Sequence, residues 1–105
     1  MTYGELNNAV PVMNKLVGQN LHLRQAYQLM KIAKKANEEL DFFQTRHKEI
    51  ILSDKDDDEK IKMMTELLNF EIPWTIEPLT LSINDDLILS AADLEAARGL
   101  IEIIE

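Results

Sequence analysis

Asp54, Asp56 and Asp58 stand at every second position of an acidic run, the spacing with which a calcium-binding loop begins. Such a loop also needs a glycine at its sixth position and a glutamate at its twelfth. This chain has Glu59 and Thr65 there, so the run reads as a charged helix start and no metal site is expected. The two histidines, His22 and His47, lie 25 residues apart on what reads as one helix, roughly 37 Å apart, so they cannot share a metal within one chain. Neither has a second ligand one helical turn away. His47 falls beside Phe43 and Ile50 and reads as a packing residue.

Other chemistry is equally thin. Glu38, Glu39 and Asp41 are neighbouring carboxylates, but acid–base catalysis needs a pocket that a chain of 105 residues has little room to build. There is no Gly-x-Ser-x-Gly elbow, and three glycines leave no phosphate-cradling loop. The absence of cysteine rules out disulfides, zinc–thiolate sites and thiol nucleophiles. Arg24, Lys31, Lys34, Lys35 and Lys48 would give one side of a helix a basic stripe. Glu38, Glu39, Asp41 and Glu49 interrupt its field, and no recognition helix or aromatic platform accompanies it. No enzyme, cofactor or nucleic-acid site is therefore expected.

The elements around these residues read as mainly α with a minor β part, in one domain. Thr2 and Glu5 form a capping box for a first helix over about 3–17. Pro11 either kinks that helix or restarts it, and Gly18 ends it. The longest pattern runs over about 21–52. Leu23, Tyr27, Met30, Ala33, Asn37, Leu40, Phe43, His47 and Ile50 recur there at steps of three or four. A rod of about 45 Å is longer than a small domain needs, so it is expected to pack along another helix of its own chain or of a partner. Asn37 in this seam either fixes a partner's register or marks where the seam turns outward.

A third helix over about 57–69 is expected to fold back as a hairpin, its apolar face made by Ile61, Met64 and Leu68 with Met63 and Leu67 beside them. Residues 72–89 alternate like a β-ribbon, with a slip at Pro78 and a return strand at Leu87-Ile88-Leu89. Trp74 in this ribbon either caps the core or anchors a partner. Ser90 and Asp93 start a last helix over about 91–104, which Gly99 weakens.

Charge is uneven. The net charge is -8, yet residues 1–52 balance to +2 and residues 53–105 to -10. The acidic half repels phosphates and anionic lipid. It either keeps the chain soluble or offers a surface to a basic partner, through Asp54, Asp56, Asp57, Asp58, Glu59, Asp85 and Asp86. No apolar run is long enough to span a bilayer, and the N-terminus lacks the basic start and apolar stretch of a signal peptide.

The run Thr2-Tyr3-Gly4-Glu5-Leu6, with Asn8-Ala9-Val10-Pro11 and Asn14-Lys15-Leu16, resembles the opening of a group of short bacteriophage and prophage proteins of unknown function. Ala26-Tyr27, Ile32-Ala33-Lys34-Lys35, Glu38-Glu39-Leu40, Ile76-Glu77-Pro78-Leu79 and Leu89-Ser90-Ala91-Ala92-Asp93-Leu94 extend the likeness over most of the chain. The resemblance implies a phage-encoded protein made in the cytoplasm of a bacterial host and brings no active site. Two functions are expected to compete. One is an assembly or virion-associated protein, a homo-oligomer or partner of another phage protein, working through Tyr27, Met30, Asn37, Leu40, Phe43 and Trp74. The other is a small acidic inhibitor that blocks a basic groove of a host defence protein.

Overall fold

The computed structural model describes residues 1–104. It is mainly helical with one small sheet: α1 (Tyr3–Val17), α2 (Leu23–Leu52), α3 (Asp57–Leu68), β1 (Leu79–Ser82), α4 (Ala91–Ala96) and β2 (Ile101–Ile104). The long second helix makes the molecule a rod of 52 × 24 × 22 Å.

α1 begins where the sequence puts it. Glu5 N–H donates to Thr2 Oγ1 at 3.1 Å, and Thr2 N–H donates to Glu5 Oε1 at 3.0 Å. Pro11 lies inside α1 on its exposed side, and the helix runs through it without restarting. Gly18 ends α1 with φ -84°, a right-handed conformation, so its tolerance of positive φ is not used. Tyr3, Leu6, Ala9, Val12, Met13 and Leu16 are all buried. α1 packs on α2, α3 and α4 together and is the centre of the core.

α2 differs from the expected stripe in its first half. Leu29, Ile32 and Ala36 face the core, one residue out of phase with Met30, Ala33 and Asn37. From Leu40 onward the two patterns coincide, through Phe43 and Ile50. Both phases are apolar at helical spacing, so periodicity alone could not separate them. α1 decides between them, because its Val12, Met13 and Leu16 close against Leu29 and Ile32.

α3 returns along α2 as an antiparallel hairpin. Asp56 caps it, accepting from Glu59 N–H at 2.8 Å, and Lys60 Nζ donates to the Ile51 carbonyl at 2.9 Å. Leu67 is buried and Met63 and Met64 are half-buried, whereas Ile61 is exposed.

The β part departs most from the expected ribbon. Leu87-Ile88-Leu89 is not a strand, and the helix expected over 91–104 stops at Ala96. β1 pairs instead with β2, in parallel, from Leu79 opposite Ile101 to Ser82 opposite Ile104. Leu94, Ala97, Ile101 and Ile104 fit a helical stripe, but three of residues 101–104 are isoleucine, which the pleated surface accommodates better. Gly99 lies in the intervening turn, where a Cβ would meet Met1 Cε at 3.0 Å. Upstream, Ile72 is buried and its N–H donates to the Met1 carbonyl at 2.7 Å.

The phase of α2 is testable by urea denaturation below micromolar concentration. Ile32→Ala should lose about 2–5 kcal/mol. Tyr27→Ala should change stability by no more than about 1 kcal/mol. The reverse order would put Tyr27 in the core.

Candidate functional site

Two networks hold the first half of α2 in place. In one, Tyr3 OH donates to Glu39 Oε2 at 2.9 Å while Lys35 Nζ donates to Glu39 Oε1 at 2.9 Å. Burial, and then the Glu39 carboxylate, push the Tyr3 hydroxyl up to about 12. The Lys35 hydrogen bond, against some desolvation, holds Glu39 below the usual carboxylate range. The Tyr3 ring sits among Phe42, Phe43 and Phe70, with centroids 5.5–6.2 Å away. Glu39 is thus structural, not one of three solvated acids.

The second network ties α2 to the sheet. Register and ladder bonds turn the backbone groups of Thr80 and Ser82 away from β2. Gln28 Oε1 accepts from Thr80 N–H and Gln25 Nε2 donates to the Thr80 carbonyl, each at 3.4 Å. Asp85 Oδ2 accepts from Ser82 N–H and from Gln25 Nε2, each at 2.8 Å. The outer edge of β1 is thereby closed by side chains, which is how a short sheet avoids a bare edge. Asp85, expected on an open acidic surface, is half-buried in this turn, and the Ser82 N–H hydrogen bond holds its carboxyl below the usual range.

These networks fix which side of α2 faces out. Leu23 is 87% exposed, Tyr27 53% and Met30 59%, in line at helical spacing. Asn37 is the last exposed residue of this row, and the stripe turns inward only from Leu40. Beside them Val17, Leu21, Ala26, Leu29, Met30 and Ala33, with Gln19 and Asn20 at one end, line a groove of about 400 Å³. The six expected contact residues therefore divide. Tyr27, Met30 and Asn37 are presented to solvent, while Leu40, Phe43 and Trp74 pack against the core. Trp74 fills the capping role, with its indole Nε1 buried and without a partner among the described residues. Leu23 and Val17 belong to the outward surface, and the sequence stripe missed Val17 because α1 supplies it.

Asp54, Asp56, Asp57, Asp58, Glu59 and Asp86 are exposed. Asp56 already accepts the cap hydrogen bond, and acidic first-turn residues favour the positive end of α3. Among the described residues no three His, Asp or Glu side chains converge as metal ligands. His22 lies 3.8 Å from Asp85, while His47 stacks on Phe43 with centroids 6.0 Å apart. A groove of about 590 Å³ between α1 and α4 is lined by Met1, Glu5, Asn8, Glu95 and Arg98 among others, with no nucleophile paired to a base. No helix of the described residues is long and apolar enough to cross a membrane.

No protein-family model, no curated protein and no solved structure matches this chain.

Acid should loosen the two networks. The folded-state pKa values of Glu39 and Asp85 are depressed, so their contribution is present above the ordinary carboxylate range and is lost as pH falls through the folded values. Thermal midpoints should hold between pH 7 and about 5 and drop below about pH 4. Glu39→Gln should melt lower at pH 7 and show a smaller further drop in acid. An unchanged acid response would remove Glu39 as a contributor.

Proposed function

We propose that the chain is a non-enzymatic, phage-encoded interaction protein, an assembly or virion-associated component that works in the host cytoplasm or in the particle. One observation carries this reading: the outward face of α2. The inner face of α2 already saturates the core, and Leu23, Tyr27 and Met30 still stand in line in water beside an apolar groove. Isolated exposed apolar residues are ordinary, but a contiguous row beside a groove is the form in which proteins receive helical partners.

Tyr27 suits such a surface, being large, half polar and poor in rotamers. Lys31 Nζ lies 4.6 Å from its ring centroid, which pins the ring outward. The phage origin rests on the sequence resemblance.

The exposed acidic run at the start of α3 supports the second reading, a small acidic inhibitor that blocks a basic groove of a host defence protein. Four of its carboxylates, Asp54, Asp57, Asp58 and Glu59, make no contact that the fold requires, though three of them also serve the helix start.

The two readings separate in one experiment. The tagged full chain is expressed in phage-producing cells, and captured proteins are identified in lysate and in purified particles. Tyr27→Glu with Met30→Glu should abolish capture with helix content unchanged. Asp56→Asn with Asp57→Asn and Asp58→Asn should leave it intact. Loss in the Asn variant, with binding that weakens steeply as salt rises, would favour the inhibitor.

A further inference from the structure

The outward stripe of α2 is complementary to its own reverse. It reads Leu23, Tyr27, Met30 and Lys34 up to Asn37, then Asp41, Thr45, Lys48 and Leu52, and every one of these residues is exposed. Charge is divided along the same axis. Leu23–Lys35 holds four basic residues and no acid, whereas 36–52 holds four acids and two bases.

We infer that α2 pairs with α2 of a second copy of this chain, antiparallel, about a two-fold axis between Asn37 and Glu38. This rests on the interaction reading above and names its partner. Positions equally far on either side of the axis then meet. Leu23 meets Leu52, joining the two most exposed leucines of the helix, at 87% and 71%. Lys34 meets Asp41 twice, once on each side. Lys48 meets Tyr27. Met30 meets Thr45.

A parallel copy would instead set Lys34 on Lys34 and Asp41 on Asp41, so charge selects the antiparallel arrangement. At the axis Asn37 is a polar residue in a helical seam, the kind that fixes register. Glu38 beside it has Lys34 one turn away on its own helix.

The contact is modest. A helix about 45 Å long and about 10 Å wide covers roughly 450 Å² per copy, near the low end of specific interfaces. A dissociation constant on the order of micromolar is expected.

The cysteine-free chain allows a clean test with single-cysteine variants of the full protein under mild oxidation. Asn37→Cys should form a covalent dimer readily. Leu23→Cys alone and Leu52→Cys alone should not, because each would lie roughly 44 Å from its equivalent along the pair. Mixed together, those two variants should cross-link. Lys34→Asp should slow the Asn37→Cys cross-link roughly tenfold, and adding Asp41→Lys should restore it. Circular dichroism checks that each variant is folded.

The pairing is wrong if Asn37→Cys cross-links no faster than the exposed control Ile88→Cys, or if Leu23→Cys alone matches the mixture. If cross-linking fails while capture from cells still needs Tyr27 and Met30, self-pairing falls and the interaction reading stands. If both fail, both fall.

Discussion

The burial of α1 is the constraint from which the rest of this structure follows. A helix of 15 residues, isolated in water, is marginal. Here six of its side chains are enclosed by α2, α3 and α4, and its first residue also carries the aromatic cluster and the Glu39 hydrogen bond. Because α1 fills the space beside α2, it takes one face of that helix and leaves the other with nothing of its own chain to cover it. The exposed row on α2 is a consequence of how the core is built, not an accident of one side chain.

The sheet reinforces the same choice. Two parallel strands are too few to be stable alone. β1 is held because Gln25 and Gln28 reach its backbone from α2 and Asp85 closes the turn. Those glutamines lie within one turn of Leu29, so the polar tie to the sheet and the apolar tie to α1 set the same rotation of the helix. Rotating α2 to bury Tyr27 and Met30 would break its contacts to Thr80 and Asp85 and withdraw Leu29 and Ile32 together. The rotation of this surface is therefore set by the fold itself.

Much of this was legible in the residues. The Thr2–Glu5 box, the length of α2, the acidic start of α3 and the Ser90 cap each follow from local chemistry, and each element starts within about two residues of its expected place. The misses share a cause: where two patterns fit, long-range contacts choose. Tyr27-Met30-Ala33 and Leu29-Ile32-Ala36 are both helical stripes, and contacts from α1 and from the sheet distinguish them. Residues 101–104 suit helix or strand, and pairing with β1 decides. Asp85 looked like one more surface acid because its partners Gln25 and Ser82 come from a different element and from the turn itself. For the site, Tyr27, Met30 and Asn37 could be named from spacing, while Leu40, Phe43 and Trp74 could not be assigned to the core without knowing what lay against them.

Pairing of two copies along the outward face of α2 would double the mass in solution. Sedimentation velocity on the full chain, from about 1 to 100 μM, tests it most directly, since a weak pair forms within that range. The expected result is a mass that rises from 12.1 kDa toward twice that value and stops there, with Met30→Lys holding it at the monomer. A mass fixed at 12.1 kDa at every concentration would contradict it, as would a rise that Met30→Lys leaves unchanged.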